Sequence, residues 1–420
     1  MSEWKRLTLK QAGIILIDCD HKTPDAVNNG LPYVTIPQLK DGRIVLSDAR
    51  LISEEDFEIW TRKAKPQTHD VVVSRRCNPG ESAYVSDGLK FALGQNLVLL
   101  RSDNKIVLQP FLRWLVRSPA WWEEVKKFIN VGAVFNSLKC TEIVEFKLPI
   151  PPIDEQESIV KLLSSLDDKI DNLRRQNETL EKIAQTLFKH WFIDFEFPNH
   201  DGKPYKSSGG AMVASELGDI PEGWRVGKLG DIGKIITGKT PSTENSELWG
   251  NDLYFITPTD FKNYGKYILN AERSISKSAI SKFKQYIIPE NSIVVTCIGS
   301  DMGKVVKTAI SCITNQQINS LIPLSVFPFH EYIFSYLRNQ YKWLRIIALG
   351  GSTMPIINKS TFSEINILLP NSSILIDFEA TTSSLNKKII NNENQIQTLT
   401  KTRDTLLPKL MSGEIRVKEA

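Results

Sequence analysis

The sequence predicts an α+β chain made of two tandem-repeat α/β modules separated by two long antiparallel coiled-coil helices. Three observations predict it. A set of short motifs recurs in the same order about 220 residues further along. Each copy carries short β-branched and aromatic runs broken by Gly, Pro, Asn and Asp. Each copy then ends in a sustained heptad seam.

With 420 residues the chain is long enough for two or three domains with separate cores. Hydrophobic content of 41% and charged content of 24% are ordinary for a globular protein, and no stretch nears the ~18 apolar residues of a membrane span. Met1-Ser2-Glu3-Trp4-Lys5-Arg6 runs straight into patterned sequence without the apolar core of a signal peptide, so a cytoplasmic location is expected. Cys19, Cys77, Cys140, Cys297 and Cys312 are odd in number and form no Cys-x-x-Cys, which argues against a disulfide framework and a zinc site. A net charge of +4 and a pI near 8.6 permit a polyanionic partner without demanding one.

The repeat is specific in its order and keeps a nearly constant offset. Trp4 matches Trp224, Tyr33 and Pro37 match Tyr254 and Pro258, and Gln95 matches Gln316. Val71-Val72-Val73-Ser74 matches Ile293-Val294-Val295-Thr296, and Phe146-Lys147-Leu148-Pro149 matches Ile367-Leu368-Leu369-Pro370. Apolar spacing predicts amphipathic helices over 110–128 and 329–347. The resulting division is a first module at 1–153, a spacer helix at 154–192, a linker at 193–222, a second module at 223–373, a second spacer helix at 374–411 and a tail at 412–420. The Gly, Pro and Ser content of 199–223 supports the linker.

In the first helix, Ile159, Leu163, Leu166, Ile170, Leu173, Asn177, Leu180, Ala184, Leu187 and Trp191 alternate steps of four and three. The same register, carried into the second helix at one fixed offset, selects Phe378, Thr382, Leu385, Ile389, Asn392, Ile396, Leu399, Arg403, Leu406 and Leu410. Two matched seams suit mutual packing. Closure around a pseudo-two-fold axis requires antiparallel helices with the modules at opposite ends. A 37-residue helix at ~1.5 Å per residue is a rod of roughly 55 Å. One B-DNA turn is ~34 to 36 Å, so such a rod suits a split DNA target.

Gly233-Lys234-Ile235-Ile236-Thr237-Gly238-Lys239-Thr240 fits the phosphate-loop pattern G-x-x-x-x-G-K-T, which makes a nucleotide hydrolase the main rival reading. A phosphate loop needs a helix starting at Lys-Thr, and Pro241 disfavours one. Lys22-Thr23-Pro24 occupies the matching place in the first copy without the upstream glycine, so Lys-Thr-Pro reads as a feature of the repeat. Asp18-Cys19-Asp20-His21 holds metal-ligand types but reads as a polar loop. Asn78-Pro79-Gly80 lacks the aromatic residue of an adenine methyltransferase loop. No catalytic constellation and no metal site is expected. The candidate DNA contacts are Lys40, Arg43, Arg75, Arg76 and Lys90 in the first copy, with Lys239, Thr240, Lys262, Lys266, Lys304 and Lys307 in the second. A coiled-coil scaffold with no nucleic-acid role is the third reading.

Several of these features together resemble Type I restriction-modification specificity subunits. They are Trp4 with Glu222-Gly223-Trp224, the turn Gly238-Lys239-Thr240-Pro241, the run Leu148-Pro149-Ile150-Pro151-Pro152-Ile153-Asp154-Glu155-Gln156, and the end segment Leu406-Leu407-Pro408-Lys409-Leu410-Met411-Ser412-Gly413-Glu414-Ile415. The string Phe188-Lys189-His190-Trp191-Phe192-Ile193-Asp194-Phe195-Glu196-Phe197 is similar to that family's central connector. The second copy departs from the pattern at Asn371-Ser372-Ser373. The resemblance implies that each module is a target-recognition domain reading one half of an asymmetric double-stranded DNA site. It also implies that the helices dock two methyltransferase subunits, that a restriction and translocase subunit joins, and that S-adenosylmethionine, ATP and Mg belong to those partners.

Overall fold

A computed structural model describes residues 4–132, 136–261, 265–299, 302–349 and 356–417. The chain is a mixture of helix and sheet divided into two units, Met1–Asp171 with Gln397–Ala420, and Asn172–Ile396. Both long helices, Ile153–Phe192 and Ser372–Met411, are shared between the units.

The centre of the first unit is a six-stranded sheet in the order Ile14–Asp18, Leu97–Ser102, Val71–Ser74, Ser82–Tyr84, Arg43–Ile44, Leu39–Lys40. Its two central strands carry the apolar runs Leu97–Leu100 and Val71–Val73, as strands covered on both faces do. Strand alternation sends Val71, Val73, Val98 and Leu100 into one core, with Phe111, Trp114, Trp121 and Phe146. Val72, Leu97 and Leu99 enter a second core on the other face. The second unit repeats this plan: Gly233–Thr237, Ile318–Pro323, Ile293–Thr296 and Val305–Thr308 follow in the same spatial order, with Tyr267–Ile268 at the edge. Ile293, Val295 and Leu321 face one core, and Val294, Ile318 and Val306 the other. Each module is closed by pairing its first strand with its last. Lys5–Thr8 lies antiparallel to Lys147–Ile150, and Arg225–Lys228 antiparallel to Asn366–Leu369.

Within each unit a stretch of one long helix packs against a stretch of the other, running in opposite directions. In the first unit Asp167 meets Arg403, while Ile159 and Leu163 share a core with Leu407, Leu410 and Met411. In the second, Asn177 meets Asn392 and Glu393, and Phe188, Trp191 and Phe192 surround Phe378. Ile170, Leu173, Asn177 and Ala184 are buried, as are Thr382, Ile389, Asn392, Ile396, Arg403 and Leu410. Leu166, Leu180, Leu187, Leu385, Leu399 and Leu406 are half-buried.

Three sequence expectations change. The helix expected over 110–128 is two helices, Gln109–Leu115 and Pro119–Phe128. Proline biases the residue before it away from the α region, and Ser118 (ψ 157°) instead caps the second helix by accepting the Trp121 N–H. The helix expected over 329–347 likewise divides, into His330–Asn339 and Tyr341–Leu349. The stretch 199–223 is not bare linker: Met212–Ser215 and Gly218–Pro221 form a hairpin. Phe197 and Tyr205 stack at 4.6 Å, and Phe197 also stacks on Trp224 at 5.2 Å.

Buried charge fixes each module to its helices. Asp167, 1% exposed, binds Arg113 of the module and Arg403 of the second helix (2.6 Å), with Arg43 alongside at 3.5 Å and on Asp171 at 2.8 Å. Burial opposes ionisation of Asp167, but Arg113, Arg43 and Arg403 together hold its carboxyl below the usual carboxylate range. In the second unit Lys266 binds Glu331 within the module and Asn386 on the second helix, while Arg338 reaches Glu181 on the first helix at 3.2 Å. Glu379 accepts from the backbone N–H groups of Glu331 (2.7 Å) and Tyr332 (3.0 Å). Burial nevertheless pushes its carboxyl up to about 7.

Two outcomes follow from these contacts. Asp167→Ala leaves buried guanidinium groups without their anion, so urea unfolding should report a loss of roughly 3–5 kcal/mol; an unchanged midpoint would refute the network's role. Glu379 binds its proton more tightly folded than unfolded, so its contribution is largest below the ordinary carboxylate range and fades as pH rises towards 7. Thermal melts between pH 5 and 7.5 should therefore slope less for Glu379→Gln than for the unchanged protein, and an identical slope would contradict this.

Candidate nucleic-acid interface

At one end of each module's sheet, the ends of several strands place polar loops side by side. In the first module the Arg75 N–H donates to the Asn96 carbonyl (2.8 Å), and the Leu138 N–H donates to the Arg75 carbonyl (2.8 Å). In the second, the Cys297 N–H donates to Gln317 (2.7 Å), and the Ile357 N–H donates to Cys297 (3.0 Å). The duplicated Lys-Thr-Pro turns join the same clusters. Gln95 Nε2 donates to Thr23 Oγ1 at 2.9 Å, and Thr240 Oγ1 donates to Gln316 Oε1 at 2.6 Å. One backbone scaffold thus carries different side chains in the two copies. Backbone bonds hold the loops, leaving polar side chains such as Arg76 and Lys239 exposed, the chemistry that contacts phosphate and base edges.

The predicted contacts divide by place. Arg75 and Arg76 lie in the first cluster, and Lys239, Thr240 and Lys304 in or beside the second. Arg76 and Lys239 are exposed, whereas Arg75 is largely covered with its guanidinium 3.6 Å from Asp18. Lys40 and Lys90 are exposed elsewhere on the module, Lys40 on the edge strand. Three residues serve the fold instead. Arg43 is 14% exposed and engaged with Asp167 and Asp171. Lys266 and Lys307 are buried against Glu331, which turns their ammonium groups away from solvent. Burial pulls the Lys266 ammonium down, against the attraction of Glu331. Lys262 lies outside the described residues. The Thr23–Gln95 and Thr240–Gln316 contacts were not among the expectations, although Gln95 with Gln316 and the two Lys-Thr-Pro turns matched in the repeat; only the fold joins the two signals.

The phosphate-loop pattern has the wrong structure. Gly233–Thr237 is a strand paired with Ile318–Pro323, and the N–H groups of Gly238 and Lys239 are taken by the carbonyls of Ile318 and Thr314. The next helical turn is the short Ser246–Leu248. Gly238 is needed for close approach, since a Cβ there would lie 2.1 Å from the Thr314 carbonyl oxygen. Asp18, Cys19 and His21 bring ligand-type atoms within 4.8 Å of one another. Arg75 beside the same carboxylate opposes a cation, and burial drives the Cys19 thiol up to about 11.

A chain that builds one sheet plan twice, with one loop scaffold at the same end of each copy, is a tandem-module protein. Residues 1–182 and 221–394 match the family described as Type I restriction modification DNA specificity domain. The chain is 30% identical over 392 residues to the Type I restriction enzyme HindI specificity subunit of Haemophilus influenzae, covering 80% of this chain and 84% of that one. It is 32% identical over 317 residues to the MjaIX specificity subunit of Methanocaldococcus jannaschii, covering 74% and 70%. The fold is similar to the crystal structure of the Type I restriction-modification system S subunit from M. genitalium, with TM-score 0.54 at 16% identity, covering 99% of this chain and 97% of that one. This chain therefore belongs to the Type I restriction-modification specificity subunits. Among the described residues no helix is long and apolar enough to cross a membrane.

Gly238→Ala drives a Cβ into backbone carbonyls and should lower the melting temperature clearly, whereas Lys239→Ala, whose side chain is exposed, should leave it within about a degree. Differential scanning calorimetry of both variants checks the contrast, and a Gly238→Ala protein melting like Lys239→Ala would contradict the close packing.

Proposed function

We propose that each module reads one half of a bipartite, asymmetric double-stranded DNA site, and that this chain brings no catalysis of its own to the assembly. The observation that carries this reading is the duplicated loop scaffold with unlike side chains: Arg75 and Arg76 in one copy stand where Cys297 and Ile298 stand in the other. Equal scaffolds with unequal donors and acceptors read unequal base sequences. Arg76, Lys239, Thr240 and Lys304 are the favoured contacts, with Arg75, Lys40 and Lys90 as further ones.

The paired helices serve as the coiled-coil spacer. A 40-residue helix at ~1.5 Å per residue is roughly 60 Å long, and a B-DNA turn of ~34 to 36 Å suits half-sites separated along one duplex. The helices dock two methyltransferase subunits, and a restriction and translocase subunit completes the complex. S-adenosylmethionine, ATP and Mg are then used by those subunits, in the cytoplasm.

Exchanging residues 4–149 for the matching segment of a relative with a known target, then mapping methylated adenines genome-wide, tests the reading. One half-site should change and the other persist. Retention of both original halves would refute it.

A further inference from the structure

The turn that follows a central strand is built alike in both modules, and in each a helix leans on it. The Gly80 N–H donates to the Ser74 carbonyl (2.9 Å), and the Gly303 N–H donates to the Thr296 carbonyl (2.8 Å). In the first module the Trp121 ring N–H donates to the Gly80 carbonyl at 3.0 Å. In the second, Tyr341 stands against Gly303, where an added Cβ would lie 3.2 Å from the Tyr341 ring. Trp121 and Tyr341 thus hold one place, on the helices Pro119–Phe128 and Tyr341–Leu349. Counting on from them, Glu123 and Lys126 of the first helix stand where Trp343 and Ile346 stand in the second. Both pairs are exposed, but the charged pair is ordinary solvated surface and the apolar pair is not. Trp343 is 41% exposed and Ile346 66%.

Three residues apart on one helix, Trp343 and Ile346 share its outer face. Leu344 holds the inner face, fully buried in one core with Met302 and Leu337. The segment is tied at two points to the loop cluster of the candidate nucleic-acid interface. Tyr341 rests on Gly303, next to Lys304, and Ile356, itself exposed, pairs with Ile298. Lys342 and Arg345 are exposed beside the apolar pair, and Arg345 is steadied by donating to the Tyr341 hydroxyl (2.9 Å). In the sequence no Asp or Glu occurs between Glu331 and Glu364. An aromatic and an aliphatic side chain among cations, without carboxylates, suit a polyanion that also offers flat apolar surface, which bases and sugars do between their phosphates. A stable protein interface covers roughly 800 Å² per partner, far more than two side chains supply, whereas a single aromatic residue suffices to stack on a base.

We propose that Trp343 and Ile346 pack on the bases and sugars of the half-site read by the second module, with Lys342 and Arg345 on the flanking phosphates, an apolar contact that the first module lacks. This inference deepens the reading of the modules as DNA-reading units and rests on it.

The test uses the full chain assembled with the modification subunits of the same system, and a duplex carrying the site that methylation mapping assigns to it. Fluorescence anisotropy across a salt series reads the affinity. Trp343→Ala should weaken binding roughly tenfold or more, the effect of losing one stacked aromatic. The slope of log affinity against log salt should stay unchanged, because no phosphate contact is lost. Lys342→Ala should instead reduce that slope by about one. Trp343→Phe should keep most of the affinity, and Glu123→Ala on the first helix should leave it alone. Ile346→Ala, at a position well outside the core, should weaken binding in the same salt-independent way and serves as the second variant if Trp343→Ala fails to fold. Binding by Ile346→Ala and a folded Trp343→Ala within about twofold of the unchanged complex overturns the contact. So does a loss that comes with failure to assemble with the modification subunits, which would make the patch a protein contact. An unchanged complex that binds the mapped site no better than a scrambled duplex overturns instead the functional reading beneath the inference.

Discussion

A carboxylate or its amide on a long helix, met by a cation from the module, is the contact on which the architecture turns. Asp167 takes Arg43 and Arg113 from the first module and Arg403 from the second helix. Its counterpart in the register of the second helix is Asn386, which takes Lys266. Buried charges of this kind add little net stability over well-packed apolar groups, because desolvation offsets most of the attraction. They do penalise every arrangement that leaves a charge unmatched. Under the proposed function, in which the loops face a duplex, that orientational constraint matters more than extra stability.

Duplication followed by divergence explains which parts stayed alike. The four-strand order, the terminal strand pairing and the loop bonds from Arg75 and Cys297 are backbone features that tolerate different side chains. The polar links are solved differently in the two copies. The first unit gathers Arg43, Arg113 and Arg403 around one aspartate, whereas the second balances Lys266 and Lys307 against Glu331 inside the module. Since a module's core and its loops use separate residues, the loops are free to change while the fold persists.

Burial separates the true candidates for contact from cations that only look like them in sequence. Lys266 and Arg43 occupy turn-rich stretches with polar neighbours, the same local signature as Arg76 and Lys239. Their side chains turn inward because each meets a group on a long helix, Asp167 for Arg43 and Asn386 for Lys266, and an aliphatic stem makes such a buried polar partner reachable. No local pattern distinguishes a lysine that points at a helix far along the chain from one that points at solvent.

The sequence by itself determined the repeat, the mixed strand and helix content, the heptad seams and the family, because each is written in the spacing of residues along the chain. Val71-Val72-Val73-Ser74 is legible as a central strand since both its faces are apolar, and Ile159 to Trp191 as one stripe since helical periodicity is local. The tertiary structure alone decided that Thr23 meets Gln95, that Gly233–Thr237 is a strand and not a phosphate loop, that Pro119 divides an expected helix, and that Lys266 faces Glu331. Those outcomes depend on which distant segments are brought together and on the burial that results, and neither is encoded in any short window of residues.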